Sequence, residues 1–341
     1  IDQFEAVSLL SGRHLSRCYD VIVDLVNDAK KTRKIKVVLA CRLFDAENDD
    51  RLLKLFSRKD IKRLDILPLS DDDVVSAVSE MSLEKRMLTR KQIELLTLPF
   101  NLALFKSAAD QHGAPEFDSR TALLDIFWKN KFQIIKKKHR HVRFYEVLVY
   151  IAEIMSDKQI LSVACEELDV NDYINDAEIL ASEGVLSIEN DRVSFFHEIL
   201  FDYTFARQWL NKKQSMVNFL LEHDQGLFRR AQVRQILEML RGRGDVKSFY
   251  EMTDRILKSN EVRSHIKDIA LSVLLISDAP NGRDLDIVRN IVKESSWLSR
   301  RLCRYISQSS WFFELNKNRI IDDLIDSNDL VVSKYVTIFL K

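Results

Sequence analysis

Apolar residues recur along most of this chain at intervals of three and four, the spacing of an amphipathic helix. After Glu5 such a stretch runs through Cys18 to Ala29, with Ile22, Val23, Leu25 and Val26 on its apolar side. The rhythm breaks at 36–41, a short apolar run with charge at both ends. Its length and branched residues predict a strand buried on both faces of a parallel sheet. A short helix is expected over 53–56. The run 64–69 reads as an edge strand, because Pro68 cannot donate to a central ladder. A strand end, helix, strand, helix and strand make half of a doubly wound sheet.

Helices follow at 73–81, 90–96, 99–110 and 120–136. Ser70 is placed to cap the first and Pro99 to open the third. Three more are expected at 144–155, 162–168 and 171–182, the last ended by Gly184. Val185-Leu186-Ser187-Ile188 and Val193-Ser194-Phe195-Phe196 alternate as strands, joined by the four-residue turn 189–192. Three helices and a hairpin make a winged-helix arrangement, and a further helix runs from Glu198 to about Leu210. From 214 onward the periodicity is wholly helical, in segments 216–222, 229–240, 246–257, 262–276, 285–292, 298–306, 320–325 and 331–340. Similar lengths and short polar joints suggest a HEAT-like α-solenoid. The expected class is mainly α. The expected domains are 1–70 (the carboxyl half of an α/β nucleotide-binding sheet), 71–142 (a helical lid), 143–211 (a winged helix) and 212–341 (a helical array).

Composition agrees with a helical chain. Only 7 Gly and 4 Pro occur in 341 residues, too few for a protein built on hairpins. Net charge is zero, so no global field draws in nucleic acid or anionic membrane. Cys18, Cys41, Cys165 and Cys303 form no C-x-x-C pair and read as reduced thiols. No apolar run reaches membrane-spanning length and no signal pattern opens the chain, so a cytoplasmic location is expected.

The candidate chemistry begins at Ile1-Asp2-Gln3-Phe4-Glu5, which reads as the end of an apolar strand carrying two acids. Asp2 is placed to hold Mg²⁺ and Glu5 to orient a water, in the manner of P-loop NTPases. Equally, both acids suit the first turn of a helix. Arg42 follows the apolar run, where ligands of parallel sheets bind, or is a solvated strand-end charge. No G-x-x-x-x-G-K-[ST] loop occurs: Gly242 and Gly244 lack the Lys-Ser/Thr that should follow. The chain is therefore expected to start downstream of a phosphate loop, and to bind ATP weakly or not at all, without turning it over.

Pro99 is a helix starter or an adenine neighbour, and His197 caps a helix or contacts phosphate. His14, His112, His223 and His265 have no metal-spaced partners. Lys129, Lys131, Lys136, Lys137, Lys138, Arg140 and Arg143 form a basic run that suits either phosphates or a helix carboxyl end. A DNA-reading helix should be basic, yet 169–183 carries Asp169, Asp172, Asp176, Glu178 and Glu183 with no Lys or Arg. Nucleic acid is not an expected partner. Trp297, Trp311, Phe312 and Phe313 are core of the helical array or anchors for a protein ligand.

The order of these features resembles the STAND class of P-loop NTPases, close to NACHT-type, AAA+-related ATPases. Ile1-Asp2-Gln3-Phe4-Glu5 resembles the Walker B segment and Val38-Leu39-Ala40-Cys41-Arg42 the sensor strand. Thr97-Leu98-Pro99 stands where the class carries Gly-x-Pro, with Thr in place of Gly. Phe196-His197-Glu198, with Phe201, Tyr203 and Ala206, is similar to the winged-helix end whose histidine touches the ADP β-phosphate. The resemblance covers 1–210. It implies ATP/ADP with Mg²⁺, an oligomerisation switch forming homo-oligomers when activated, a protein ligand on the helical array, and a role in signalling or antiphage defence. A helical scaffold that binds protein partners and no nucleotide is the second expectation, and a winged-helix DNA-binding regulator, against which the acidic 169–183 speaks, the third.

Overall fold

The structure is a computed structural model. It describes residues 4, 16–32, 34–41, 43, 46, 49–81, 88–109, 116–212, 214–276, 280–294, 296–305, 309–326, 332, 334 and 336. These form eighteen helices and one small sheet, so the protein is mainly α, as expected.

Two helices, α1 (Ser16–Lys31) and α2 (Asp50–Phe56), pack with Phe4 into a small cluster of Leu52, Leu55, Tyr19, Leu39 and Cys41. The run 36–41 lies beside it, and Phe4 N–H donates to Ala40 O at 2.8 Å. Neither 36–41 nor 64–69 is a strand, which corrects the expected parallel half-sheet. Val38 is 75% exposed, so 36–41 is not buried on both faces as expected, and Ile66, in the run expected as an edge strand, is 93% exposed. The physical reason is partnership. Continuous apolarity reports that a segment can be buried between neighbours, and among the described residues no strand flanks either run.

Four helices follow: α3 (Asp71–Glu80), α4 (Arg90–Leu96), α5 (Pro99–Ala109) and α6 (Arg120–Lys138). Capping boxes start two of them. Ser70 and Asp73 exchange bonds at α3, and Thr89 and Gln92 do so at α4. Next come α7 (Phe144–Lys158), β1 (Val163–Ala164), α8 (Glu166–Asp169), α9 (Ile174–Ser182), β2 (Leu186–Glu189), β3 (Arg192–Phe195) and α10 (Glu198–Lys212). The sheet order is β1-β3-β2, antiparallel throughout. Two sequence expectations change here. The expected helix at 162–168 is a strand plus the short α8. The hairpin turn has two residues rather than four, because Glu189 and Arg192 pair across it. Asn190 and Asp191, at φ 50° and 57°, both adopt the left-handed conformation of a type I′ turn.

The rest is helical: α11 (Met216–Glu222), α12 (Leu227–Gly242), α13 (Val246–Lys258), α14 (Ser264–Leu274), α15 (Gly282–Glu294), α16 (Ser296–Tyr305), α17 (Ser309–Lys317) and α18 (Ile320–Ile325). Helix α17 was not anticipated; its Trp311 is buried and its Phe313 exposed. Central α12 packs on α10, α13 and α14, and also touches α6. One apolar core consequently runs from Val74 to Val336. No described helix is long and apolar enough to cross a membrane.

Candidate functional site

Two of the five expected site residues meet through a neighbour. Helix α4 is capped by Thr97 and α5 begins at Pro99, so the chain turns sharply between them. Buried Asn101 pins this turn by donating from Nδ2 to Leu95 O at 2.7 Å, and Leu69 N–H donates to Thr97 O at 2.8 Å. The turn aims Phe100, the second residue of α5, at the junction of β3 and α10. There His197 stacks on it, ring centroids 3.8 Å apart and planes at 29°.

His197 caps α10. Its Nδ1 accepts from Ile199 N–H at 3.2 Å, and its carbonyl accepts from Leu200 N–H at 2.9 Å. With Nδ1 an acceptor, the neutral ring carries its proton on Nε2 and offers one N–H donor. Burial pushes the His197 pKa below its ordinary 6.5, against a smaller upward pull from Glu198. A neutral ring with one donor suits an anionic oxygen better than it suits proton transfer. Around the stack, Leu98, Pro99 and Phe196 are exposed, which leaves an apolar rim beside the imidazole.

Asp2, Glu5 and Arg42 lie outside the described residues. Their described neighbours Phe4 and Cys41 belong to the small cluster with α1 and α2. Among the described residues no group of three His, Cys, Asp or Glu side chains is placed to hold a metal ion.

The basic run is occupied by the acidic segment that follows it. Arg143 Nε donates to Asp176 at 2.6 Å, and Lys131 Nζ to Glu183 O at 2.7 Å. Lys138 reaches the Glu183 carboxylate at 2.9 Å. Lys131 and Lys138 of α6, together with Arg143, thus engage Asp176 and Glu183 of this acidic segment.

Sequence reasoning missed a second polar cluster, where α6, α10 and α12 meet. Asp125 accepts from Tyr203 Oη, from Arg207 Nη1 at 3.5 Å, and from Arg243 Nη2 at 2.6 Å and Nε at 3.3 Å. Burial pushes the Tyr203 hydroxyl far up, so it stays a donor. Tyr203 and Arg207 are four apart on one helix, a weak signal; nothing in the sequence pairs them with Asp125. Phe100 was equally invisible, since an aromatic after a helix-starting proline is ordinary.

No model of a known protein family matches this chain, and no curated protein matches it.

Proposed function

We propose that the chain is part of an ATP/ADP-controlled oligomerisation switch of the STAND type, related to NACHT ATPases and working in signalling or antiphage defence. The observation that carries the reading is the Phe100–His197 stack. It sets the Pro99 turn and the His197 ring on one surface, although 97 residues separate Phe100 from His197 in sequence. In this reading 71–142 is the lid, 143–211 the winged helix and 212–341 a HEAT-like array. The order helix, strand, two helices and hairpin, with a type I′ turn, supports the winged-helix part.

The residues present fit a nucleoside diphosphate. The exposed rim of Leu98, Pro99 and Phe196 offers an apolar face for the base, and His197 Nε2–H is a donor for a phosphate oxygen. ADP bound there would bridge lid and winged helix and favour the closed state; a ligand on the array would favour the open one. Asp2, Glu5 and Arg42 are proposed for Mg²⁺, water and γ-phosphate on the resemblance alone. The pairing of the α9 acids with Lys131, Lys138 and Arg143 speaks for an intramolecular role of the winged helix over DNA reading.

A nucleotide-free scaffold is the second reading, favoured by the exposed run of Leu64, Ile66 and Leu67. The test is His197→Ala in the full-length protein. It should weaken ADP binding and raise assembly in the absence of stimulus; unchanged ADP affinity removes the switch reading in favour of the scaffold.

A further inference from the structure

The acidic segment engages Lys131, Lys138 and Arg143, three of the seven cations in 129–143. Lys129, Lys136, Lys137 and Arg140 are left exposed, with no ion-pair or hydrogen-bond partner among the described residues. The negative end of α6 accounts for Lys136 and Lys137, which stand in its last turn. It does not account for Lys129, two turns earlier, because the dipole's effect fades within that turn. Nearby acids do not restore the balance. Asp125, one turn before Lys129, is held by Arg207 and Arg243. Exposed Glu146, in the first turn of α7, is one carboxylate against four cations.

An aromatic pair lies among these charges. Lys129, Phe132 and Lys136 are three and four residues apart, so they share one stripe of α6. The two lysines stand about 10 Å apart along the axis. Between them half-buried Phe132 packs on Tyr145 of α7, ring centroids 4.8 Å apart and planes at 38°. Tyr145 is 40% exposed, and no other large hydrophobic side chain between 120 and 146 is exposed. The surface therefore offers a ring to stack on and cations beside it, but no aliphatic side chains to enter a lipid layer. Cations that track a backbone and a ring that takes a base are what an unpaired strand requires.

We propose that this surface binds single-stranded nucleic acid, with phosphates on Lys129, Lys136, Lys137 and Arg140 and a base stacked on Tyr145. A duplex keeps its bases stacked on one another and offers none to Tyr145, so it is the poorer ligand. The proposal is independent of the nucleotide reading, since none of these residues belongs to the Pro99–Phe100–His197 surface.

The test is fluorescence anisotropy of labelled oligouridylate and oligothymidylate, about fifteen nucleotides long, titrated with the full-length protein. Affinity should fall at least tenfold between 50 and 200 mM salt. Lys129→Glu combined with Lys136→Glu should weaken binding tenfold or more, and Tyr145→Ala fivefold or more. Lys293→Glu, on an exposed lysine of α15, should change it less than twofold. A duplex of the same length should bind at least threefold more weakly, and the tighter of the two single strands tells RNA from DNA as the source. The proposal is overturned if neither strand binds, if Lys293→Glu weakens binding as much as the paired lysine change, or if Tyr145→Ala has no effect. It is equally overturned if the duplex binds as tightly as the strands, or if oligoglutamate or phosphatidylserine vesicles do so with the same dependence on Lys129 and Lys136. Should Tyr145→Ala fail to fold, the lysine variants and the duplex comparison decide.

Discussion

His197 does two things at once: it ends the hairpin as the cap of α10, and it presents a single N–H from a neutral ring. Desolvation by its surroundings, Phe100 among them, holds its pKa down. Phe100→Ala should therefore move that pKa up toward 6.5, read from the ring protons in a pH titration by NMR. A value that stays put would show that the stack does not set the ring's environment. His265 makes a different prediction. Burial, together with Arg230 and Arg263, lowers its pKa to about 4 against the upward pull of a Gln225 backbone bond and Asp224. The unfolded chain takes up this proton near pH 6.5, the folded chain only near 4. The stability tied to the neutral ring is thus complete above 6.5 and is lost as pH falls toward 4, by about 3 kcal/mol. His265→Gln should flatten that part of the urea-midpoint profile, and an unchanged profile would show that another group titrates there. Pro99 and His197 could be read in advance because a proline opening a helix and a histidine after a hairpin are local features. Phe100, which joins them, depends on how two distant elements dock.

Local punctuation was the most legible part of the secondary structure. Gly184 ends α9 in a Schellman arrangement, with Val185 N–H bonded to Leu180 O at 2.9 Å and Gly184 N–H to Ala181 O at 3.0 Å. Its φ is +70°, and a Cβ there would meet nothing within 4 Å. Gly184→Ala should therefore cost backbone strain alone, about 1–2 kcal/mol in chemical denaturation. A loss beyond about 3 kcal/mol would mean that the cap geometry itself had failed. Ser70 at its cap and Pro99 at its helix start also stand where their chemistry placed them. The runs 36–41 and 64–69 went the other way. Their β-branched, apolar composition was read as strand, but a strand exists only with a neighbour. Val38, Leu64 and Ile66 face solvent instead. Strand β1 was hidden for the opposite reason: two residues are too few to show an alternation.

Among the described residues, two apolar cores differ greatly in size. The small one holds Phe4, Leu52 and Leu55, and the large one continues from Val74 to Val336. Amides of α1 and α2 should accordingly exchange hydrogen faster than those of α7, α10 and α12; uniform protection would contradict this division. Within the large core, Asp125 ties α6 to α10 and to the end of α12. Asp125→Asn removes the carboxylate from two guanidinium groups. Because the site is about one-third exposed, the expected loss is about 1–2 kcal/mol. A neutral variant would show that packing alone holds the joint. None of this long-range wiring could be foreseen, because Asp125 and Arg243 are distant in sequence and each looks like a surface charge.

The account rests on a nucleotide meeting the Pro99–Phe100–His197 surface, and titration of the full-length protein with millimolar ADP, followed at the His197 ring protons, tests that directly. The account predicts a saturable shift of these protons with ADP and a much smaller one with adenosine, which has no phosphate to meet Nε2–H. Resonances of His197 that ignore ADP, or that respond equally to adenosine, would contradict it.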